Sequence, residues 1–338
     1  MLASLADALV ERGHDVTLFA ARGSNTRARL VPTVDDPIWH RDTKPDERTV
    51  ATLTIGRAFR HATDLDVMHN HMGSVALAAA RRAGLPTVTT VHWTLDSRDE
   101  RSGYARFPEQ PLVSISQAQR IPMPDANWIG TVHHGYPRDT FSPSYADGGY
   151  LAFCGRFTPE KGLDVAIASA IEAEMPLKIA ARLPPADATS PTLRRERDYF
   201  RATLGPYLDH PLIEYVGEIT DAEKQSFFGG AAALLFPIRW PEPFGLVLIE
   251  ALACGTPVIA RPRGSVSELV THGETGFHCE SVADFVGAIR KLSRIDRHAC
   301  RADFEQRFLA DRMAARYERI YEIAREAFAE PTRGSVGP

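Results

Sequence analysis

The sequence predicts an α/β protein with two doubly wound domains, each a parallel sheet covered by helices on both faces. Short apolar strands alternate with amphipathic helices, the alternation restarts in the second half, and a segment rich in Pro, Ser, Asp and Gly separates the halves at residues 137–149. With 338 residues the chain is also too long for one core. We expect domains at residues 1–145 and 146–312, then a helix and tail at 313–338 that cross back to the first domain.

The first half begins with a helix and then a strand. Apolar residues recur at helical spacing from Leu2 to Val10, and a strand is predicted at residues 15–20. Residues 21–48 show no clear period and are predicted to form a long loop. Further strands are predicted at residues 66–69, 87–91 and 112–116, with a helix at residues 73–83 that Gly84 ends.

The second half repeats this alternation. Its strands are predicted at residues 150–154, 177–181, 212–216, 233–237 and 257–260, and a long amphipathic helix is predicted at residues 313–328. Ligands of such sheets bind at the carboxyl ends of the strands. The sequence therefore predicts two domains that face a cleft, with the functional residues at strand ends.

The composition excludes several classes of protein. Lys and Arg number 39 against 43 Asp and Glu, so the net charge of −4 provides no general basic field to hold nucleic acid. No stretch approaches the length of a membrane span and Met1 leads directly into an amphipathic pattern, which predicts a cytoplasmic protein. The cysteines lack metal or redox spacing and are expected to be buried free thiols: Cys154, Cys254, Cys279 and Cys300.

Two cations follow the strand predicted at residues 150–154. Arg156 and Lys161 stand in a loop that opens a helix, so their charges and the helix amides suit a diphosphate. The alternative is that Arg156 pairs with a structural carboxylate and Lys161 is solvated, since exposed ion pairs are common and weak. From these residues alone both interpretations stay open.

Two carboxylates follow the strand predicted at residues 233–237. Glu242 lies in a loop before a helix, and Glu250 lies more than one turn inside it, so each is expected to bind a different part of an extended ligand. A carboxylate in so apolar a helix is costly unless a group donates to it, which favours a ligand hydroxyl or a fixed partner for Glu250. The amides at the positive helix end are expected to meet an anion: those of Phe244, Gly245 and Leu246.

Together these residues resemble the retaining nucleotide-sugar glycosyltransferases of family 4, which have the GT-B fold. Glu242 and Glu250 match that family's E-x7-E signature, while Gly155-Arg156 and Lys161-Gly162 match its basic diphosphate clamp. Residues 244–246, 255–258 and 273–277 match the family's stereotyped pattern around the signature. The resemblance covers nearly all of the chain.

The resemblance implies transfer of a hexose from a nucleotide-diphosphate sugar to a polysaccharide, lipid or small metabolite. Arg156, Lys161 and the amides of Phe244, Gly245 and Leu246 would hold the diphosphate; Glu242 and His92 would act at the sugar and the acceptor; Glu250, Val216, Gly217 and Glu218 would hold the nucleoside. Because cations of the protein meet the charged leaving group, such sites resemble ones that need no divalent metal and no other cofactor. Retention would follow an internal-return path without a covalent nucleophile.

In that family the loops of the first domain choose the acceptor. The loop predicted at residues 21–48 carries five basic residues: Arg22, Arg27, Arg29, Arg41 and Lys44. An anionic acceptor or peripheral contact with a membrane surface would suit these charges, but a solvated face is the simpler explanation.

Several aromatic residues have a simpler explanation than catalysis. Without the resemblance, His92 is a strand-end histidine bonded to backbone. The histidines at residues 69–71 and 133–134 suggest a metal site. They lack the additional Cys or carboxylate ligands of a closed zinc site, so no metal is expected. His69 is instead expected at a strand end that lines the cleft. Trp240 belongs in the core by default, or in the wall of the donor pocket.

One departure concerns the start of the chain. A doubly wound domain begins with a strand, whereas this chain begins within the helix that should follow the family's central first strand. Loss of that strand would leave two rows of unpaired backbone groups, which a net stability of about 5–15 kcal/mol could hardly absorb. We expect that Met1 is not the native start, or that the chain is an inactive protein that binds the donor without turnover. A GT-B epimerase, or a phosphorylase with pyridoxal phosphate, is a weaker alternative.

Overall fold

The chain divides into two compact units. The structure, a computed structural model, describes residues 1–35, 47–187 and 190–329. The N-terminal unit comprises Met1–Pro137 and the chain from Leu309 on, and the C-terminal unit comprises Arg138–Phe308. The chain passes from one unit to the other after Pro137 and again after Phe308. Both points lie a few residues before the boundaries predicted at residues 145 and 312, because Leu309 already pairs with Tyr136 in a parallel bridge. The end of the predicted tail lies outside the described residues.

Both units are built from alternating strands and helices. In the described residues the strands are β1 (Thr17–Ala21), β2 (Arg29–Val34), β3 (Met68–Asn70), β4 (Thr87–Thr90), β5 (Leu112–Ser114), β6 (Trp128–Thr131), β7 (Tyr150–Cys154), β8 (Leu177–Ala180), β9 (Ile213–Gly217), β10 (Ala231–Phe236), β11 (Val258–Ala260) and β12 (Gly276–His278). The helices are α1 (Leu2–Glu11), α2 (Glu47–Phe59), α3 (Leu77–Ala83), α4 (Arg98–Ala105), α5 (Leu163–Glu172), α6 (Pro191–Thr203), α7 (Asp221–Gly229), α8 (Leu246–Ala253), α9 (Val266–Leu269), α10 (Val282–Ile289), α11 (Arg297–Arg307) and α12 (Ala310–Ala329).

The C-terminal unit contains one six-stranded sheet in the order β12-β11-β10-β7-β8-β9. Its strand pairs are parallel, and the order reverses between β7 and β10. Ligands of doubly wound sheets bind where the order reverses. Apolar residues such as Leu151, Phe153 and Leu235 fill the core, which makes these strands buried supports for the loops that follow them.

The N-terminal unit contains two parallel sheets, one with the order β1-β2 and one with the order β3-β4-β5-β6. Helices α1 and α12 share a core with the second sheet, in which Leu5, Leu9, Met313 and Tyr317 are buried. Parallel sheets flanked by helices in both units confirm the predicted α/β class.

The prediction of one long loop over residues 21–48 was wrong. Strand β2 lies inside it and pairs in parallel with β1, and α2 begins at its end. Pro32 concealed the strand, because proline cannot donate to a ladder and is tolerated in an edge strand such as β2. In the described residues, α2, α4, β6 and β12 were also missed; β6 carries Gly130, where a Cβ would lie 2.3 Å from the Ile320 side chain.

The basic residues of that segment have nearby polar partners. Arg22 contacts Asp35, Arg27 contacts Glu11, and Arg29 donates to the hydroxyl of Thr17. Arg41 and Lys44 lie outside the described residues. The described arginines therefore behave as a solvated, locally paired face.

Two further predictions concern thiols and membranes. Cys254, Cys279 and Cys300 are buried and Cys154 is nearly so; all are free thiols whose pKa burial raises to about 12. Within residues 1–35, 47–187 and 190–329, no helix combines the length and the apolar character that crossing a bilayer demands.

Candidate functional site

The turn after β7 places Lys161 beside the end of the sheet. A short 3-10 turn, Pro159–Lys161, is followed by Gly162 in the left-handed region at φ 71°. A Cβ on Gly162 would lie 2.2 Å from the carbonyl oxygen of Pro237, so only glycine permits this close approach to the end of β10. The Lys161 side chain packs beside Gly155: a Cβ on Gly155 would lie 3.6 Å from Lys161 Cγ.

Lys161 and Glu242 form a largely buried ion pair at the point where the strand order reverses. The Lys161 Nζ donates to Glu242 Oε2 at 2.7 Å, and the two side chains are only 17% and 12% exposed. Trp240 Nε1 donates to the same oxygen at 3.1 Å. The alternative of a solvated Lys161 is therefore wrong, because the adjacent loops after β7 and β10 bring its ammonium onto a carboxylate.

A third loop, after β11, holds Glu242 in place. The Ser265 amide donates to the Glu242 carbonyl at 2.9 Å, and the Ser265 hydroxyl donates to the Phe244 carbonyl at 2.7 Å. Gly264 has φ 60°, and a Cβ there would lie 2.3 Å from the Glu242 carbonyl oxygen. Sequence reasoning missed both residues; the Gly-Ser pair shortly after a predicted strand was the available signal.

The helix that begins beside Glu242 presents its amino end to this site. Gly245 caps α8 at φ 82°, which suits glycine, and Leu246 is the first helical residue. The first amides of a helix have no partner within it and carry its positive end. The predicted anion-binding backbone of Phe244, Gly245 and Leu246 thus lies next in the chain to the Lys161–Glu242 pair, and the Phe244 side chain is buried.

Glu250 lies one turn further along α8 and is 1% exposed. Its Oε1 accepts from Lys224 Nζ at 2.9 Å, and the same ammonium contacts Asp221 at 3.0 Å. Burial alone would lower the pKa of Lys224, but the neighbouring carboxylates raise it. Glu250 therefore has a fixed partner, one of the two options that its apolar surroundings left open. Sequence reasoning missed Lys224, which lies on α7, remote from Glu250 in the sequence.

Arg156 contacts a different carboxylate from the one that pairs with Lys161. Arg156 is 62% exposed and donates to Glu196 at 3.3 Å, a nearly buried carboxylate on α6. The partner is thus the structural carboxylate of the alternative interpretation, while the exposure leaves most of the guanidinium open to solvent. One long contact to a carboxylate does not use all five donors of an arginine.

The segment predicted to hold the nucleobase lies at the end of β9, the edge strand of the sheet. Val216 and Gly217 end the strand, Gly217 accepts from the Ala181 amide at 2.9 Å, and Glu218 is exposed. It shares the carboxyl edge with the Lys161 site but is two strands away from β7. Helix α7, which carries Lys224, begins directly after it.

The N-terminal unit holds a cluster of four histidines: His69, His71, His92 and His134. His92 follows β4, and its Nε2 lies 2.9 Å from His71 Nδ1, so one of the two rings donates to the other. His134 stacks on His92 with ring centroids 5.4 Å apart. A bond to a side chain replaces the backbone bond suggested as the simpler explanation for His92, because β3 and β4 are neighbours.

The histidines of the cluster are uncharged at neutral pH. Burial lowers the pKa of His92 to about 4 and that of His69 to about 3, and it lowers the pKa of His71 and His134 well below the usual value. His69 lies within β3 rather than at a strand end, and its two nitrogens contact the hydroxyls of Tyr321 and Thr90. In the part of the chain that the structure describes, no group of three or more His, Cys, Asp or Glu is arranged to hold a metal ion.

Comparison with known families assigns both units. A model of the family described as Glycosyltransferase Family 4 matches residues 1–127, and one described as Glycosyl transferases group 1 matches residues 140–307. The D-inositol 3-phosphate glycosyltransferase of Acidothermus cellulolyticus is 26% identical over 86% of this chain and 76% of its own. The glycogen synthase of Mycobacterium tuberculosis is 26% identical over 97% and 91% of the two chains.

Solved structures share the fold. Sucrose-phosphate synthase from Thermosynechococcus elongatus superposes with a TM-score of 0.76 at 19% identity, covering 96% of this chain and 93% of that one. HepE of Anabaena, solved with UDP and glucose, gives a TM-score of 0.71 at 16% identity, covering 95% and 94%. At these identities the likeness concerns the fold alone.

Proposed function

Because the chain belongs to the GT-B glycosyltransferases of family 4, we propose that it transfers a sugar from a nucleotide diphosphate with retention of configuration and without a divalent metal. The chain is a glycosyltransferase, and its family uses nucleotide-sugar donors. The observation that carries the finer proposal is the Lys161–Glu242 pair, seated where β7 and β10 meet and beside the first turn of α8.

The donor diphosphate is assigned to the cations and amides of this edge. Lys161 supplies a fixed ammonium, Arg156 an exposed guanidinium, and the amides of Gly245 and Leu246 the positive end of a helix. Such groups stabilise the charge that develops on a leaving diphosphate, and they do so most strongly where water is scarce. This set of positive groups supports a reaction that needs no metal.

The two carboxylates, Glu242 and Glu250, are proposed to bind the other parts of the donor. Glu242 contacts the ammonium that would hold the diphosphate, and its other oxygen is proposed to contact the transferred sugar. Glu250 is proposed to accept from the ribose, with Lys224 holding its other side, and the Val216 to Glu218 segment to meet the base. A fold neighbour, HepE, was solved with UDP-glucose, which supports a donor of this chemical type.

The acceptor step is proposed to follow internal return. The bond between the sugar and the diphosphate breaks, and the departing phosphate oxygen takes the proton of the acceptor hydroxyl, which attacks the same face. No covalent enzyme intermediate forms. His92 is uncharged at neutral pH, so it would donate or accept one hydrogen bond to the sugar or the acceptor and carry no charge.

A second candidate is a protein that binds the donor without turnover. The observation that favours it is the division of the N-terminal unit into two separate sheets, whereas the donor-binding unit has one continuous sheet. In this case the residues around Lys161 would still bind the nucleotide sugar.

One experiment separates the candidates. UDP-, GDP- and ADP-glucose are titrated in the presence of EDTA, and thermal shift, released nucleotide and the anomeric signal of the product are followed. We expect one nucleotide class to raise the melting temperature and to be released at a rate that EDTA leaves unchanged. Binding without release supports the second candidate. A strict requirement for added Mg²⁺, or stabilisation by none of the three donors, contradicts the proposal.

A further inference from the structure

The histidine cluster of the N-terminal unit uses its ring nitrogens in two ways. His69 engages both of its nitrogens: Nδ1 lies 2.8 Å from the Tyr321 hydroxyl, and Nε2 lies 2.7 Å from that of Thr90. His71 and His92 instead share one hydrogen bond, between His71 Nδ1 and His92 Nε2, at 2.9 Å. Among the described residues neither ring of this pair has a second hydrogen-bond partner, and neither outer nitrogen is shut off from solvent. The pair therefore keeps two nitrogens open to a ligand.

Ring packing holds the pair in place. The His69 ring lies against that of His71 with the centroids 3.9 Å apart. The His134 ring stacks on that of His92 with the centroids 5.4 Å apart and the planes 16° apart. Packed side chains keep few rotamers, so the rings of His71 and His92 stay turned towards each other.

A buried amide fixes the turn that carries His71. Asn70, the last residue of β3, donates through Nδ2 to the Gly73 carbonyl and to the Thr89 hydroxyl, each at 3.0 Å. Its Oδ1 accepts from the Met72 amide at 2.8 Å. The backbone on both sides of His71 is thus tied to one side chain that is itself buried.

A second buried amide does the same for His92. Gln119 donates through Nε2 to the carbonyls of Val91 and Trp93, each at 2.9 Å, and these are the two neighbours of His92 in the chain. Its Oε1 accepts from the Ile115 amide at 2.9 Å. Because β3 and β4 are parallel neighbours, both fixed segments meet at one edge of the sheet. Such support is what a preorganised site needs.

The shared hydrogen bond couples the tautomers of the two rings. A neutral imidazole has one N–H and one bare nitrogen, and both rings are uncharged at neutral pH because burial lowers their pKa. If His71 Nδ1 donates, His92 Nε2 is bare and the proton of His92 lies on Nδ1. If His92 Nε2 donates, His71 Nδ1 is bare and both protons lie on Nε2. Both rings must therefore hold the same tautomer, and one open nitrogen donates where the other accepts.

We propose that His71 is a positioning residue that acts through His92: it occupies Nε2, leaves Nδ1 as the one nitrogen of His92 open to a sugar hydroxyl, and sets whether that nitrogen donates or accepts. The inference rests on the proposed function, in which His92 contacts the transferred sugar or the acceptor. With the tautomer fixed beforehand, the hydroxyl meets a nitrogen whose role is already set, and no ring has to exchange its proton with water first.

The first test reads the tautomers in the full chain without ligand. The histidines are labelled with nitrogen-15, and spectra that correlate ring nitrogens with carbon-bound ring protons distinguish the Nδ1–H form from the Nε2–H form. His71→Phe and His92→Phe assign the signals. We expect both rings to share one tautomer, and His92 to become a mixture of the two forms in His71→Phe. Opposite tautomers, or an unchanged His92 in that variant, would overturn the proposal.

The second test separates positioning from a structural role. Turnover is measured with whichever of UDP-, GDP- and ADP-glucose raises the melting temperature most. His71→Phe keeps a ring against His69 but loses the bond, so kcat should fall by about three- to tenfold with the KM of the donor nearly unchanged. His71→Asn places an amide close to the former Nδ1 and should recover most of this loss.

A double variant and a control complete the design. In the His92→Phe background, His71→Phe should lower kcat no further, because His71 acts only through His92. His61→Phe is the matched control, since His61 is 45% exposed and lies outside the cluster, and it should keep kcat. Equal losses in His71→Asn and His71→Phe, or a full second loss in the double variant, would overturn the role of His71. If the unaltered chain releases none of the three nucleotides, the proposed function itself fails, whereas turnover with independent effects of His71 and His92 contradicts the positioning role alone.

Discussion

Replacing Lys161 by Met should destabilise the C-terminal unit markedly. The substitution keeps an apolar stem but removes the ammonium 2.7 Å from Glu242, a carboxylate that is 12% exposed and retains the Trp240 N–H. Removing one partner of a buried pair costs about 3–5 kcal/mol, and the small residual exposure of both groups favours the lower end. A loss of about 3 kcal/mol corresponds to a fall in melting temperature of about 6–12 °C for a domain of this size.

The assay is a double-mutant cycle with Glu242→Gln, read by urea unfolding. Because the neutral amide has no unpaired charge, the double variant should regain about 1–3 kcal/mol relative to the sum of the single variants. Lys178→Met is the matched control, since Lys178 pairs with Glu214 at 3.1 Å on the surface and should cost at most about 1 kcal/mol. If Lys161→Met costs no more than this control, or if the cycle shows no coupling, the ion pair does not have the strength argued here.

Four further predictions concern binding, the loop and pH. Arg156→Ala should weaken UDP binding by about 1.5–3 kcal/mol in calorimetry and also lower the melting temperature, because it removes the guanidinium that contacts the nearly buried Glu196; unaltered affinity would remove Arg156 from the site. Glu250→Gln should lower nucleotide affinity more than turnover at saturating donor; the opposite pattern would mean that it acts on the sugar. Gly264→Ala should reduce donor turnover and stability, whereas Gly273→Ala, at φ 83° with open space around it, should cost only about 1 kcal/mol; equal losses would show that the clash is relieved. The pKa of His92 is about 4 in the folded chain against 6.5 when unfolded, so the unfolded state binds more protons between these values and stability should fall as pH drops from 6.5 towards 4; the urea midpoint of a His92→Gln variant should fall less steeply.

The C-terminal unit was the more predictable half because three of its strands, β7, β10 and β11, are continuous apolar runs. The predicted strand at residues 150–154 coincides with β7, and that at residues 177–181 differs from β8 by one residue. Strand β2 escaped because an edge strand with a proline has no clear pattern. Short strands such as β12, with three residues, carry too little sequence for a period to be seen.

The site was predictable where chemistry is local and unpredictable where partners are distant in sequence. Lys161 and Glu242 could be named because each follows a strand, and parallel strands end at one edge. Their mutual contact could not be deduced, since 81 residues separate them. Lys224 and Glu196 were missed for the same reason: their partners, Glu250 and Arg156, lie on other elements and come close only through the packing of the unit. The histidine cluster likewise depends on the order in which β3 and β4 pair.

The chain passes between the units twice, so the C-terminal unit is one continuous segment whereas the N-terminal unit consists of two segments. Both ends of Arg138–Phe308 lie where the chain passes between the units, so this segment can be excised by two cuts without dividing its sheet. The N-terminal unit has no such option, because α12 supplies Met313 and Tyr317 to the core it shares with α1. Shortening the protein from its C-terminus into α12 therefore removes part of the interior of the domain that is made first during synthesis.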